Sequence, residues 1–242
     1  MSDALNEVYE GIDREYSAES ASTRRRFVGA AGAAIGGMGL LALPTEAFAK
    51  NDAPTILAIA ATAEVLATIV NTVGPEEVDL DNTTKRNVQA AARQELIHYD
   101  VLKSLGAKEL TKKIWVPDEV FASKKNLLNT LVAGDQIFIN AYMIGTTAFA
   151  DAKMSTEARY TAEFMGVEAV HRALALQSLG KLGNDRAFMK YSFTKIENAA
   201  AQLEKAGFGF GKQGSKDGKF YAFDSVRKRT PDPSGVNTRK PR

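Results

Sequence analysis

The sequence predicts an all-α fold, a four-helix bundle with an additional C-terminal helix. Four segments of about 20 residues or more place apolar residues at helical spacing, with capping residues before them and glycine or a turn after them. No strand alternation of useful length occurs. The chain has 2 histidines, and each follows a glutamate by three positions, in Glu95-x-x-His98 and Glu168-x-x-His171. That spacing puts both side chains of a pair on one helix face.

The first predicted helix runs from Ala53 to Val73. Asn51 or Asp52 can cap it, Pro54 fits its first turn, and Gly74-Pro75 is expected to end it. Ile56, Leu57, Ile59, Val65, Leu66, Ile69 and Val70 make it apolar on most sides, as a buried helix must be. Glu64 sits in its middle, where an unpaired carboxylate is costly and needs a partner, a proton or a metal.

An acidic loop over 75–82 leads to the second helix, capped by Thr83 or Thr84 and stopped near Leu105 by Gly106. The connection over 106–122 can span roughly 55 Å when extended, enough to run the length of a bundle. It carries the single tryptophan, Trp115, read as a packing residue. The third helix runs from Ser123 to about Ala150, with Asp135 its only internal acid and Gly134 and Gly145 suited to close helix contacts. Ser155 is expected to cap the fourth, which has Glu157 in its first turn, runs to about Leu179 and ends at Gly180. Phe188, Tyr191, Ile196 and Leu203 give the segment from Asp185 to Lys205 a fifth helical pattern, placed outside the four-helix core. Beyond Gly207 the Gly/Lys/Pro content predicts loop and disorder.

With 242 residues, 45% apolar and 25% charged, the chain suits one globular domain plus tails. It has no cysteine, which excludes disulfides, thiolate metal sites and a cysteine nucleophile. Any metal must then be held by carboxylate and imidazole, ligands that suit iron, manganese or zinc.

Residues 1–49 form a separate unit. A polar opening leads to Thr23-Arg24-Arg25-Arg26-Phe27-Val28, then to an apolar Gly/Ala-rich run over Gly29 to Leu43, then to Ala47-Phe48-Ala49. Charged region, apolar region and small-residue cleavage site follow one another as in an export signal, and the paired arginines are of twin-arginine type. The expected location is therefore periplasmic or secreted, with the twin-arginine export machinery as a partner. The apolar run is short for a membrane-spanning helix, which needs roughly 20 residues. An uncleaved membrane anchor is the alternative. Removing residues 1–49 leaves 27 basic and 22 acidic residues, and residues 212–242 alone hold 9 basic and 3 acidic ones. The basic excess thus lies in the tail, and no nucleic-acid partner is expected, because such proteins spread positive charge over a folded face. The domain division is 1–49 export signal, 50–206 helical domain and 207–242 basic tail.

The charged residues inside the apolar helices repeat. Glu64 precedes Glu95 by 31 positions and Asp135 precedes Glu168 by 33, so each half supplies one acid and then one Glu-x-x-His pair. One acid from each of two helices and Glu-x-x-His from each of the other two is the ligand pattern of di-iron and di-manganese carboxylate bundles. Four carboxylates would neutralise two divalent cations that otherwise repel in a dry core, and the imidazoles would terminate the site. Taken singly, each residue has a plainer reading. Glu64 could pair with Arg93 or Arg172, Asp135 could face solvent, and each Glu–His pair could be a structural hydrogen bond.

On Ala63-Glu64, Glu95-Leu96-Ile97-His98, Asp135 through Asn140-Ala141-Tyr142, and Glu168-Ala169-Val170-His171-Arg172-Ala173, the chain resembles the ferritin-like superfamily. More closely, over about residues 50–206, it is similar to exported bacterial ferritin-like domain proteins related to plant desiccation-related proteins. The resemblance implies a ferritin-like four-helix bundle with a B–C crossover and two Fe or Mn ions. Glu64, Glu95, His98, Glu168 and His171 inherit ligand roles, with Asp135 at the position where the family usually has Glu. Ferritin-like bundles host iron oxidation and storage, peroxide removal, manganese catalase and hydroxylation, so the resemblance does not choose an activity; the expected function is reaction with dioxygen or peroxide in protection against oxidative or desiccation stress. A non-enzymatic envelope protein that binds metal structurally or not at all is the alternative. A homo-oligomer stays open, since nothing in the sequence identifies subunit contacts.

Overall fold

The computed structural model describes residues 51–237, and the expectations for residues 1–49 lie outside it. The described chain is mostly helical, compatible with an all-α bundle, and carries one small sheet. Four long helices make the body: α1 (Ala53–Glu77), α2 (Asn82–Ser104), α3 (Lys124–Asp151) and α4 (Ser155–Ser178). α1 packs on α2 and α3 on α4, and the two pairs meet through α1 with α3 and α2 with α4.

α1 is buried on nearly every side, in keeping with its composition. Asp52 caps it by accepting from the Thr55 amide at 2.9 Å. It does not stop at Gly74-Pro75 as expected but continues for a further turn through Pro75. Close packing holds it in place there. A Cβ on Gly74 would lie 2.8 Å from Leu127 Cδ2, so the glycine lets α3 press against the end of α1. Asp81, not a threonine, caps α2, accepting from the Thr84 amide at 3.0 Å. Ser123 caps α3, while α4 begins at Ser155 without a side-chain cap.

The links between helices differ in reach. α1 and α2 are joined by residues 78–81, whereas α2 and α3 are joined by residues 105–123. The longer link brings the chain back to the end where α2 began, since Lys124 at the start of α3 pairs with Asp81 at 2.7 Å. The Thr84 hydroxyl at the start of α2 lies 3.0 Å from Ser178 at the end of α4, so those two helices run antiparallel.

This link also holds a strand that the sequence did not suggest. β1 (Lys113–Pro117) is the centre of a three-stranded antiparallel sheet, flanked by β2 (Gly209–Phe210) and β3 (Gly218–Ala222). Ile114 pairs with Phe210 on one side and with Tyr221 on the other. A 3-10 turn (Asp118–Phe121) follows β1, and β3 runs into a short helix, α6 (Phe223–Arg227). The expectation of loop and disorder beyond Gly207 is thus wrong over this stretch, which folds back onto the long link. Trp115 is a packing residue there, edge-on to Phe220, and its indole nitrogen donates to the Lys216 carbonyl at 2.9 Å. Gly214 permits the fold-back, because a Cβ would lie 1.9 Å from the Gly207 carbonyl oxygen.

The fifth helix is shorter than predicted. Only Glu197–Lys205 (α5) is helical. Residues before it are held as an irregular strap by two asparagines. Buried Asn140 accepts from the amides of Ser192 and Phe193 and donates to the Phe193 carbonyl. Asn51 donates to Thr194 and accepts from the Ile196 amide. These bonds compete with helix formation for the same backbone groups. Phe188, part of the predicted helical spacing, is not in a helix and is 86% exposed.

Candidate metal centre

All six acidic and histidine residues singled out in the sequence meet in the bundle interior. Glu64 comes from α1, Glu95 and His98 from α2, Asp135 from α3, and Glu168 and His171 from α4. Every one is buried, and Glu64, Glu95 and Glu168 are fully so. They form two overlapping groups, Glu64, Glu95, His98 and Glu168 in one, and Glu95, Asp135, Glu168 and His171 in the other. Within each group the potential ligand atoms lie within 4.8 Å of one another.

The overlap is the informative feature. Glu95 presents Oε2 to His98 Nδ1 at 3.5 Å and Oε1 to His171 Nδ1 at 3.1 Å. Glu168 does the same, with Oε1 at 3.6 Å from His98 Nδ1 and Oε2 at 3.5 Å from His171 Nδ1. Each of these carboxylates therefore addresses both histidines, one oxygen apiece. Glu64 closes the first group, 3.7 Å from His98 Nδ1. Asp135 closes the second.

None of these approaches has hydrogen-bond geometry. Glu64 Oε2, both oxygens of Glu95, both of Glu168, Asp135 Oδ2, and Nδ1 of both histidines are buried without a hydrogen-bond partner. Buried polar atoms are nearly always partnered in folded proteins, so such a set converging in one place needs an explanation. Each group could hold a metal ion. The donor set is oxygen-rich with one imidazole per group, which fits Fe, Mn or Zn.

Electrostatics points the same way. Burial, and then repulsion from Glu95, push the Glu64 carboxyl well above its ordinary range. Burial, and then repulsion from Glu168, do the same to Asp135. Burial would also raise Glu95, but the imidazoles of His171 and His98 more than offset it and hold its carboxyl well below the usual carboxylate range. Burial would lower both imidazoles, yet the surrounding carboxylates raise both well above normal. Without a cation, the cluster holds protons where positive charge is needed.

The surrounding residues orient the donors. Gln94 Oε1 lies 2.7 Å from His171 Nε2, and by accepting that N–H it leaves Nδ1 free to face the carboxylates. Phe164 stacks on the His98 ring at 4.1 Å. Tyr142, two turns after Asp135 on α3, donates its hydroxyl to Glu64 Oε1. The plainer pairings are not those found. Arg172 engages Asp185 through two bonds of 2.8 and 3.0 Å, and Arg93 engages Asp232. Asp135 is 4% exposed and does not face solvent. Gln94 and Phe164 were not foreseen. Only the adjacency of Gln94 to Glu95 hinted at the first, and nothing in the sequence marked the second among many core aromatics.

Compared with protein-family models, with curated proteins and with solved structures, the chain matches none.

Proposed function

We propose that this chain is a ferritin-like protein whose bundle binds two iron or manganese ions and reacts with dioxygen or peroxide. Glu95 and Glu168 would bridge the two ions, Glu64 and His98 would complete one shell, and Asp135 and His171 the other. The observation that carries this reading is the disposition of the bridging carboxylates, each with one oxygen toward each histidine. The long return from α2 to α3 supports a ferritin-like topology, with residues 105–123 as its B–C crossover.

When bound, the metal pair would supply the electrons for reducing a small oxidant. The protein's part is positional and electrostatic. Four carboxylates balance the charge of two divalent ions in a water-poor core. Gln94 fixes the His171 tautomer, and Tyr142 restrains the Glu64 carboxylate through its hydroxyl. Asp135 is one methylene shorter than Glu, so its carboxylate would reach less far toward a bound ion. A small oxidant suits a cluster with this much enclosure. Export by the twin-arginine route fits the reading, since that route carries folded proteins and lets metal be loaded beforehand. Protection of the envelope against oxidative stress is the corresponding role.

Adding Fe(II) to the metal-free protein in air tests the proposal. Oxidation several-fold faster than in buffer, with uptake of about two ions per chain, is the expected result. Stoichiometric metal binding with oxidation no faster than in buffer would leave a structural metal site and sink the redox role. Less than a tenth of an ion per chain, with melting unchanged by chelator, would sink the centre itself.

A further inference from the structure

The two halves of the cluster differ in their access, and the difference assigns a route. At the His98 end, aromatic rings close the approach. Phe164 lies on His98, Tyr142 packs edge-on against Phe164 and is bonded to Glu64, and Tyr160 backs Phe164. At the other end, two cavities touch Asp135. One, of about 30 Å³, is walled mainly by apolar side chains such as Leu66, Val70, Phe138 and Phe208. The other, of about 20 Å³, opens between α2 and α4, also touches His171, and mixes Asn71, Thr84, Asn87 and Ser178 with apolar side chains such as Val88, Leu131 and Leu174.

We infer that divalent cations enter the cluster at Asp135 and His171, through the mixed cavity that opens between α2 and α4. The inference rests on the proposed metal centre. A cation leaving water needs oxygen atoms to replace its hydration shell. Asn71 lines both cavities, and beyond it the first offers Thr130 alone, whereas the second offers Thr84, Asn87 and Ser178. The Asn71 amide nitrogen donates to the Ala67 carbonyl, which leaves the amide oxygen for the lane. Thr84 Oγ1 and Ser178 Oγ stand 3.0 Å apart on facing helices, so the two hydroxyls form a gate that small rotations can open. Asn87 and Ser178 are half-buried and form the mouth, while Asn71 and Thr84 are buried deeper in. Asp135 and His171 are the cluster ligands that this cavity reaches. A cavity of this size admits a water-sized species, not a fully hydrated ion, so entry would proceed by stepwise dehydration.

Stopped-flow loading of the metal-free full chain with Co(II), read by cobalt absorbance, tests the route, with final cobalt content measured separately. Asn87→Phe and Ser178→Leu fill the mouth from opposite helices and should slow loading about tenfold or more, a barrier increase of about 1.4 kcal/mol. Final content should match that of the unmodified protein. Asn87→Asp adds a carboxylate at the mouth and should speed loading roughly threefold to tenfold. Val170→Phe, at a position 54% exposed and outside the lane, should load at the unmodified rate. Loading of both plugged variants at the unmodified rate, or equal slowing by Val170→Phe, overturns the route and leaves the metal centre standing. Failure of the unmodified chain to take up cobalt removes the centre, and the route with it.

Discussion

Replacing Asp135 by Asn separates a metal ligand from a structural carboxylate, because the two roles predict opposite changes. The substitution keeps the shape and removes one charge. In the metal-free chain Asp135 Oδ2 is buried without a hydrogen bond, and Glu168 and Glu95 repel the charged form. Ligand atoms of that group lie within 4.8 Å of one another, and two unit charges at about 5 Å repel by roughly 3.5 kcal/mol at an effective dielectric constant of 20. Proton uptake already relieves part of this, so about 1–2 kcal/mol of added stability is expected for the metal-free variant. With a divalent cation present the sign reverses. The same carboxylate then attracts twice the charge, roughly 7 kcal/mol by the same formula, and the amide oxygen or a water recovers about half of that. The net loss, about 3–4 kcal/mol, is a several-hundred-fold weaker affinity for one ion. Urea unfolding in chelator gives the first quantity, and calorimetric titration with Mn(II) gives the second. A variant that is less stable in chelator and still binds as much manganese as the unmodified chain would refute the assignment of Asp135 as a ligand.

The shared and terminal positions should also differ. Glu168→Gln should abolish binding of both ions, whereas Glu64→Gln should remove one, measured as manganese per chain after gel filtration; equal loss from both variants would contradict the bridging geometry. Gln94→Leu should weaken metal binding by about 10-fold to 100-fold with the fold intact, through loss of the acceptor for His171 Nε2, as read by titration and circular dichroism. The rise in melting temperature on adding Mn(II) should grow between about pH 6 and 8. His98 and His171 have raised proton affinities in the metal-free protein, so the stability they lend is full at low pH and falls as pH climbs through their folded values. Metal must displace those protons, and it competes better as they become scarcer. A metal-induced rise that is the same at both ends of that range would count against proton displacement at these histidines.

The helical body was legible because its signals are local. Apolar spacing, Ser123 as a cap and glycines after the second and fourth helices are all written within a turn or two of where they act. The cluster was legible because its residue types are out of place. Glu64 and Asp135 are acids inside apolar helices, and the only histidines repeat one spacing. The sheet was not, because its strands are five, two and five residues long and pair across about a hundred positions. Glycines that permit the fold-back at 207–218 look, without their partners, like a flexible tail. The strap before α5 failed for a related reason. Its geometry is dictated by Asn140, some fifty residues earlier, and helical spacing of Phe188 and Tyr191 carries no weight when no surface covers them.

The sheet and the cluster also bear on each other. A long link between α2 and α3 is an entropic liability, since its ends must be held at opposite ends of the bundle, though closure cost grows only slowly with length. β1 turns this link into the centre of a sheet whose outer strands come from the chain after α5. That later segment is anchored to the end of α1 as well, through Tyr221 and Lys219 to Glu77 and through Arg229 to Glu76. The ends of α1 and α2 are thereby tied to a common clamp outside the core. The clamp leaves the interior to side chains that do not stabilise the metal-free bundle, such as Glu64 and Asp135. Charge repulsion at the centre is tolerable only if the helices carrying it are fixed elsewhere. Removing residues 208–237 should therefore loosen the metal-free protein more than the metal-loaded one, because the cations would then supply the cross-links that the clamp no longer does. Equal loss of melting temperature with and without Mn(II) would show that the clamp and the cluster act independently.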